Sequence, residues 1–348
     1  AKAQVDRLIV GVTSRRRVMA SLGTVLVTGS SGRIGKVVLA LLSKSGRCTA
    51  RATARDLAKT DGLKALGAAE VVAFDLKDKN TWEGAVNGVS AVFSASLDPL
   101  ISEHMEFAAF LGTKKEQIKH VVRISCFGAD TNTNSYDKDK HVSCEGAQVP
   151  LMLQHYWWSE ECLIKAGLPT TSIRGNFFMN HLLKNELENI KEHGFFQSPL
   201  GNCRNSFVCT NDMAEAAVTC LLEGPEKHAN KFYDITGPQP QSMHEVAADL
   251  SKALGKTIEY RPQDIDQFKA DFGPTRAEFF EYLRNGFYTR CSPDFYNITG
   301  HKGTSYAEYL STKGPHGETG LEELFSSAGA IFTKGVDQFK DLANVQKK

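Results

Sequence analysis

A glycine-rich turn between an apolar run and a helical pattern constrains this chain more than any other feature. The run Thr24–Val27 leads into Gly29, Gly32 and Gly35, spaced GxxGxxG, and a helical pattern over 36–42 follows. Gly29 permits a tight turn, Gly32 lets the backbone approach a pyrophosphate, and Gly35 lets the helix pack closely on the strand. The N-terminus of that helix offers amides and a positive dipole end to phosphates. In this context the spacing predicts a dinucleotide-binding turn, the alternative being a glycine-rich turn without a ligand.

Apolar runs continue to alternate with helical patterns after this turn. Strands are predicted over 24–27, 48–54, 70–74, 89–94, 120–125 and 169–174, with helices between them. Such alternation is typical of right-handed βαβ units and predicts an α/β fold with a doubly wound parallel sheet of the Rossmann type.

The chain has 348 residues, which favours a large domain with an additional lobe. We expect residues 23–175 to form the nucleotide-binding domain and residues 176–320 to form a smaller mixed substrate lobe that is interleaved with the sheet. Residues 321–348 are predicted to form a helical tail. In the lobe, the patterns predict helices over 178–192, 211–223 and 243–254 and strands over 207–210, 231–235 and 256–260.

The charge balance and the cysteines limit the classes of partner. The 41 basic and 40 acidic side chains give no overall field that favours nucleic acid or an anionic membrane. No two of the eight cysteines are spaced as CxxC, so no metal site is expected, and several lie in apolar runs that are typical of reduced thiols in an intracellular protein. No apolar run approaches the roughly 20 residues of a transmembrane helix. We expect a small-molecule substrate, and leave open a homodimer or docking to a larger complex.

Residues 1–22 form a basic leader. Lys2, Arg7 and Arg15–Arg17 are balanced by a single acid, Asp6. This composition is compatible with the remnant of a segment that targets a plastid or a mitochondrion. The alternative is a flexible leader or a vector remnant before Met19, in a cytoplasmic protein.

The end of the second predicted strand indicates which nicotinamide cofactor is bound. An NAD site usually has an acid there for a ribose hydroxyl, whereas this strand ends with Ala54 and Arg55. Arg55, assisted by Arg33 in the glycine turn, can form a fork to the 2′-phosphate of NADP(H). NAD(H) stays possible because Asp56 is one residue further along, and ordinary surface charge is the alternative for both arginines.

Other strand ends provide further candidate contacts to the cofactor. Asp75 follows the third predicted strand, where its carboxylate either lies near the adenine edge or caps a helix. Small residues that end the fourth strand allow a close approach along the ribose and nicotinamide path. The candidate cofactor-binding residues at this stage are Gly29, Ser31, Gly32, Arg33, Ile34, Gly35, Arg55, Asp75, Leu76, Ser94, Ala95 and Ser96.

These segments together resemble the NmrA-like group of atypical short-chain dehydrogenases/reductases. The resemblance covers residues 24–310 and rests on the glycine turn, the triplet Phe74–Leu76, the strand end at Ser125, the block Glu160–Asn180 and the run Phe232–Gly237. The group includes NADPH-dependent quinone reductases, isoflavone-type reductases and non-catalytic redox-sensing regulators. Membership would imply NADP(H) binding more firmly than it would imply turnover.

In that group the segment after the sixth strand lines the nicotinamide and substrate pocket. The resemblance therefore implies cofactor contacts at Asn176 and Phe177 and substrate contacts at Phe178 and Asn180.

The catalytic residues depart from the pattern of the superfamily. Classical members use Tyr-x-x-x-Lys, in which the lysine lowers the tyrosine pKa. Here Tyr156 is followed four residues on by Glu160, whose charge would raise that pKa, and the lysine of isoflavone-type reductases is missing from this helix. His155 and Tyr156 are the candidate proton donors, and Ser125 is a candidate hydrogen-bond donor to a substrate carbonyl. For each of them the alternative is an ordinary structural role.

Aromatic residues indicate the kind of substrate. Trp157 and, in the polar loop 130–141, Tyr136 are candidate substrate contacts, because aromatic walls suit a flat apolar molecule. Core packing and surface exposure are the alternatives. We therefore expect an NADPH-dependent oxidoreductase that transfers hydride to a quinone, an enone or a similar conjugated molecule, with a non-catalytic NADP(H)-binding regulator or accessory subunit as the alternative. Sugar-nucleotide epimerase chemistry is disfavoured, because it normally needs the Tyr-x-x-x-Lys pair.

Overall fold

The computed structural model describes residues 21–95, 100–129, 150–181, 183, 186–314 and 319–322. Four predictions lie outside the described residues: the leader over 1–20, the cofactor contact at Ser96, the substrate contact at Tyr136 and nearly all of the tail over 321–348.

A parallel sheet of seven strands organises the fold. The described residues form eleven strands, of which seven belong to this sheet. The strands are β1 Thr24–Val27, β2 Thr49–Ala54, β3 Glu70–Ala73, β4 Val89–Ser94, β5 His120–Cys126, β6 Thr170–Gly175, β7 Phe195–Ser198, β8 Arg204–Asn205, β9 Lys231–Ile235, β10 Gln241–Ser242 and β11 Glu259–Pro262. The large sheet has the order β3-β2-β1-β4-β5-β6-β9, and all its pairs are parallel. The prediction of a doubly wound parallel α/β sheet is confirmed.

Helices cover both faces of this sheet. They are α1 Arg33–Ser45, α2 Asp61–Ala65, α3 Trp82–Val86, α4 Ile101–Gly112, α5 Leu151–Lys165, α6 Thr210–Glu223, α7 Pro225–His228, α8 Met243–Leu254, α9 Ile265–Phe272, α10 Pro274–Arg284, α11 Asp294–Thr299 and α12 Tyr306–Ser311. Helix α1 packs beside α6, and α4 packs beside α5. Within the described ranges, none of the helices combines the length and the apolar character that crossing a membrane requires.

Three apolar clusters follow from this layering. One contains Val25, Val37, Phe93 and Met213 and joins α1 and α6 to the sheet. A second contains Trp82, Phe107 and Leu163 on the opposite face. The third lies in the lobe, where side chains from 179 to 310 enclose Phe127 and Leu153 from the end of β5 and the start of α5. The lobe is therefore packed against the carboxyl edge of the large sheet.

The predicted helix over 178–192 is wrong over 178–181, where the structure has a bridge residue followed by a turn. Met179 N–H donates to the Val208 carbonyl at 3.0 Å, and Val208 N–H donates to the Phe177 carbonyl at 3.0 Å. This pairing replaces the hydrogen bonds of a helix, and a single wide helical turn follows only at Asn189–His193. The apolar spacing has another cause, because Met179, Leu187 and Ile190 all enter the core of the lobe.

The predicted strand over 207–210 is also wrong. Val208 forms one isolated bridge with Phe178, and Thr210 already begins helix α6. The short strand in this region is β8, which pairs with β10. The apolar residues of this run are instead buried between the lobe and the large sheet, because Phe207 packs in the lobe core and Val208 packs with the α1–α6 layer.

Candidate active site

The strand order reverses between β1 and β4, and this switch point is held together by Thr28. Thr28 N–H donates to the Phe93 carbonyl at 3.0 Å, and Thr28 Oγ1 accepts from Ala95 N–H at 2.9 Å. Ser94, which ends β4, is buried. In open α/β sheets, ligands bind in the crevice beyond the carboxyl ends of the strands at such a point. The bonds of Thr28 therefore fix the two walls of the crevice.

The three glycines of the turn each occupy a position that disfavours a side chain. Gly29 has a φ of 63°, in the left-handed region. A Cβ on Gly35 would lie 2.1 Å from the Gly29 carbonyl oxygen, and a Cβ on Gly32 would lie 3.1 Å from the same atom. The backbone of the turn is thus a tightly folded cradle, in which these three positions favour glycine.

Helix α1 begins in this cradle, and no described side chain forms a capping hydrogen bond at its N-terminus. Its N-cap is Gly32, no side chain caps it, and its first turn contains no acidic residue. Ser31 is exposed beside it, while Arg33 and Ile34 are half-buried at its start. A helix of 13 residues that starts in this way presents amide groups and the positive end of its dipole to an anion.

The turn is also anchored to the neighbouring strand. Ser30 Oγ donates to the Val27 carbonyl at 2.5 Å and accepts from Thr53 N–H at 2.9 Å. Thr53 Oγ1 donates to the Val27 carbonyl at 3.0 Å. All three residues are buried, so the cradle is held rigidly against the end of β2.

At the end of β2, Arg55 is exposed, whereas Asp56 takes part in a turn. Arg55 is exposed and makes no hydrogen bond or ion pair with any described residue. Asp56 caps the short turn after it, because its Oδ1 accepts from Ala58 N–H at 2.9 Å. This arrangement favours the phosphate interpretation of Arg55 over the ribose interpretation of Asp56.

The end of β3 shows a capping role for Asp75. Its Oδ1 accepts from Lys77 N–H at 3.0 Å, and its carbonyl accepts from the indole Nε1 of Trp82 at 3.1 Å. Asp75 and Leu76 are both half-buried. The turn is therefore well fixed, and contact of Asp75 with an adenine stays a prediction.

Buried polar side chains lie where β5 and β6 face α5. Arg174 donates to both carboxylate oxygens of Glu160, at 2.9 and 2.7 Å, and the two side chains are 7% and 1% exposed. Ser125, in register with Arg174 on the adjacent strand, is buried, and its Oγ has no hydrogen-bond partner among the described residues. Glu160 therefore compensates a buried cation, which the sequence did not indicate.

The phenol of Tyr156 lies near a buried phenol at the end of β5. Tyr288 donates its hydroxyl to the Phe127 carbonyl at 2.7 Å and lies 3.5 Å from the Cys126 thiol. Burial raises the pKa of Tyr288 well above its usual range, and the neighbouring Cys126 and Tyr156 add to this effect. Tyr288 is therefore held in its neutral form, whereas Tyr156 and His155 are only half-buried.

Four predicted residues follow β6, and the structure gives them different surroundings. Both polar atoms of the Asn176 side chain bond to the backbone. Its Nδ2 donates to the Tyr288 carbonyl at 3.1 Å, and its Oδ1 accepts from Phe177 N–H at 2.7 Å. Phe178 packs across Gly175. Asn180 is 2% exposed, and neither polar atom of its side chain has a partner among the described residues. Asn180 is thus the one of these four whose buried polar atoms lack a partner among the described residues, and its contact with a substrate stays a prediction.

The ring of Trp157 packs against other residues of its own helix, α5. Its ring packs edge-on against Trp158 at 4.6 Å, and Lys165 Nζ lies 5.8 Å from its centroid. Lys165 ends α5, which runs away from the carboxyl edge because it connects two parallel strands. A substrate contact by Trp157 stays a prediction, but this packing favours a structural role.

Several residues of the crevice were missed by the sequence analysis. The half-buried Phe279 and Phe280 of α10 pack against Phe177, with centroids 5.9 and 5.7 Å apart. Phe287 and Tyr288 then bring the chain across the end of β5. The signal was available, because residues 279–288 contain five aromatic side chains. Their clustering indicates an apolar wall, although it does not indicate which strand end that wall faces.

Comparison with known proteins agrees with this geometry. The model of the NmrA-like family matches residues 21–283. This chain belongs to the NmrA-like family. The predicted family resemblance is therefore confirmed.

The relatives in this family include reductases. The chain is 30% identical over 297 residues to an NAD(P)H azoreductase from Xenophilus azovorans, covering 82% of this chain and 96% of the relative. It is 23% identical over 248 residues to quinone oxidoreductase 2 of Escherichia coli, covering 71% and 80%. The crystal structure of that NADPH-dependent quinone oxidoreductase in complex with NADPH has a TM-score of 0.67, at 21% identity, covering 82% of this chain and 97% of that one.

Proposed function

We propose that this protein reduces flat conjugated acceptors, such as quinones, with NADPH as the hydride donor. The observation that carries the proposal is the arrangement at the switch point. There the N-terminus of α1 has no capping bond from a described side chain and no acid in its first turn, and the adjacent β2 is followed by the exposed Arg55 rather than by a carboxylate. At the level of an NAD(P)H-dependent oxidoreductase, the expectation from the sequence is confirmed by the relatives of the chain. The acceptor class and the preference for NADPH are the proposed part.

The residues of the switch point fit a phosphorylated dinucleotide. The cradle between Gly29 and Gly35 brings its backbone, and the N-terminus of α1 that begins at Arg33, within reach of a pyrophosphate. The exposed guanidinium of Arg55 is available for the additional phosphate of NADPH. When bound, the nicotinamide supplies the hydride.

The protein's own groups then bind and orient the acceptor. The half-exposed Phe177, Phe279 and Phe280 present aromatic surface to a flat molecule. A buried polar atom without a partner costs free energy unless a ligand satisfies it. The Ser125 hydroxyl and the Asn180 amide are such groups, and each can donate a hydrogen bond to an acceptor oxygen.

The acceptor must also gain a proton after it has received the hydride, and a weak acid is enough to supply it. Tyr156 and His155 on α5 are half-buried beside the end of β5, where solvent also has access. Because Glu160 is paired with Arg174, its carboxylate is not available as a base. A quinone tolerates this arrangement, since its reduced oxygen can be protonated by water once hydride has arrived.

The test of cofactor choice is a comparison of NADPH and NADH binding by Arg55→Ala, measured by quenching of tryptophan fluorescence. Trp82 is a useful reporter because its indole is bonded to Asp75 at the end of β3. Hydrogen bonds to a charged group contribute about 1.5–3 kcal/mol. We therefore expect the Kd for NADPH to rise by about ten- to a hundredfold, with little change for NADH.

The matched control is Lys64→Ala, which removes an exposed cation from α2 in the same region. It should leave the affinity for both cofactors nearly unchanged. An equal loss of NADPH affinity in both variants would mean that the effect is long-range charge rather than a contact by Arg55.

Turnover is tested separately, by following NADPH oxidation with quinone, enone and azo acceptors. We expect oxidation with at least the quinones. Tight NADPH binding without turnover on any acceptor would contradict the proposed reductase and favour a non-catalytic NADP(H)-binding protein.

A further inference from the structure

Arg290 is an exposed cation at the carboxyl edge of the large sheet, with no acidic partner in the described part of the chain. Its side chain is exposed, and it makes no hydrogen bond or ion pair with any described residue. Its guanidinium carbon lies 4.0 Å from the ring centroid of Phe287 and 5.3 Å from that of Phe127. The cation is thus held on an aromatic ledge, which we define as the rings of Phe127 and Phe287.

Two hydrogen bonds and the chain connection from β5 place this ledge beside the ends of the strands that lie on the acceptor side. Phe127 directly follows β5, and its N–H donates to the carbonyl of Gly175, the last residue of β6, at 2.9 Å. Two residues beyond Arg290, Ser292 N–H donates to Thr236 Oγ1 at 3.1 Å, just after β9. The segment that bears Arg290 therefore crosses the edge of the sheet from β5 to β9, away from the β1–β4 switch point.

The ledge fixes the orientation of the charge. Its two rings are themselves packed together, with centroids 5.2 Å apart, and both are buried. A guanidinium that is stacked over an aromatic ring keeps the N–H groups at its edge free, and these match the geometry of a carboxylate or a sulfonate. Because less side-chain freedom is lost on binding, a preorganised cation gives a larger gain in affinity than a flexible one.

We propose that Arg290 binds an anionic substituent, a carboxylate or a sulfonate, on the aromatic acceptor. This inference rests on the proposed reductase function, and it narrows the substrates to flat acceptors that carry an acidic group at one end. The acceptor's ring would lie against Phe177, Phe279 and Phe280, while its acidic group would reach the ledge.

The test uses two probes that differ only in charge, a naphthoquinone with a propionate side chain and the corresponding propionamide. The affinity of each probe is measured by calorimetry on the full-length protein in the presence of NADP⁺, and kcat/KM is measured with NADPH. We expect the wild-type protein to prefer the propionate. Arg290→Ala should lower the propionate-to-propionamide ratio by about tenfold in both measurements.

Two further variants identify the cause of a change. Arg290→Lys keeps the charge but lacks the planar fork, so it should retain part of the preference. Arg261→Ala is the control, because Arg261 also stacks on a phenylalanine, Phe195 at 3.9 Å, but is already paired with Glu259 on β11. It should leave the ratio unchanged.

The possible outcomes separate this inference from the proposed function. An unchanged ratio in Arg290→Ala would overturn the role of Arg290, whether or not the protein turns over. Weaker NADPH binding by Arg290→Ala, with an unchanged ratio, would assign the arginine to the cofactor and also overturn it. If neither probe is reduced, the reductase proposal fails, while a loss of the preference in binding would still support an anion site at Arg290.

Discussion

The two halves of the crevice are built in different ways. Around the glycine turn, the contacts are local: Gly32 N–H bonds to the Gly29 carbonyl, and Ser30 Oγ bonds to the Val27 carbonyl, each three residues away. On the acceptor side, the hydrogen bond between Tyr288 and Phe127 spans 161 residues, and that between Asn176 and Tyr288 spans 112. The turn itself is thus folded by short-range bonds and is anchored to β2 and β4 through Thr53 and Thr28, whereas the acceptor side is built mainly from contacts between distant segments.

The chemistry of the two halves differs in the same way. The proposed nucleotide side relies mainly on backbone amides of the turn, with Arg55 as the side chain proposed for the additional phosphate. The acceptor side uses side chains, including the aromatic rings of α10 and the ledge under Arg290. Substrate specificity in this protein can therefore change without disturbing the cofactor cradle.

The largest effect that we expect concerns the acceptor half, in the variant Glu160→Ala. The carboxylate and Arg174 are both buried, and removal of one partner leaves an uncompensated charge in the interior. Breaking a buried pair in this way typically costs 3–5 kcal/mol, so we expect a loss of about that size in the free energy of unfolding. Urea denaturation would measure it.

Two comparisons sharpen this prediction. Glu161→Ala removes the neighbouring carboxylate, which pairs with the exposed Lys165 at 3.7 Å, and should cost less than about 0.5 kcal/mol. The double variant Glu160→Met/Arg174→Met should recover much of the lost stability, because no charge is then left buried. A double variant as unstable as Glu160→Ala would mean that lost packing, rather than the unpaired charge, is the cause.

The next effect concerns the nucleotide half, in the variant Gly35→Ala. The new methyl group would lie 2.1 Å from the Gly29 carbonyl oxygen, which belongs to the backbone and can move only with the turn. Overpacking of this kind costs about 1–3 kcal/mol. We also expect NADPH affinity to fall, because the cradle itself must shift, whereas Glu160→Ala should affect stability more than cofactor binding.

Gly84→Ala is the matched control, since Gly84 lies in helix α3 and a Cβ there would meet nothing within 4 Å. Alanine is favoured over glycine in a helix by up to about 1 kcal/mol, so this variant should be as stable as the wild type or slightly more stable. Full NADPH affinity in Gly35→Ala would contradict the assignment of the cradle.

The same contrast explains how much could be predicted from the sequence. The glycine turn and the order of the βα units were predictable because the spacing of a few neighbouring residues determines them. The proposal for Arg55 has a similar basis, since this residue is adjacent to a strand end. Asp56 could not be assigned, because its choice between capping a turn and binding a ribose depends on local backbone geometry.

The acceptor half was predicted less well, for a physical reason. The apolar spacing over 178–192 is real, but the first part of the segment pairs with Val208, which belongs to a distant stretch of chain. Likewise, no local pattern shows that Phe287 and Arg290 meet Phe127. The hydrophobic spacing along a sequence does not reveal contacts between distant segments. The aromatic run over 279–288 nevertheless indicated that some apolar wall is formed there.

The smallest effect concerns a pair of contacts that join the end of the described chain to helix α6. His301 Nε2 lies 2.7 Å from Glu215 Oε1, and Asp212 accepts hydrogen bonds from Thr304 N and Oγ1, both at 2.7 Å. The hydrogen bond with Glu215 raises the pKa of His301 to about 9. Burial raises the pKa of Asp212 to about 7.

Both shifts predict that the protein loses stability as the pH rises, Asp212 between acidic and neutral pH and His301 between neutral and alkaline pH. The protonated His301 stabilises the fold fully below its unfolded pKa of 6.5, and this contribution is lost as the pH rises through 9. The free energy that favours the neutral Asp212 is likewise lost as the pH rises from 3.8 to about 7. Because His301 is half-exposed, the loss between pH 6.5 and 9 should be only about 0.5–1 kcal/mol.

Urea denaturation of the wild type and of His301→Gln at these two pH values would measure this loss. The variant should show a smaller difference between the two pH values, because it has no charge to lose at this contact. His244→Gln is the control, since His244 is exposed on α8 and forms no ion pair with a described residue. If His301→Gln depends on pH to the same degree as the wild type and His244→Gln, the contact with Glu215 does not stabilise the fold through charge.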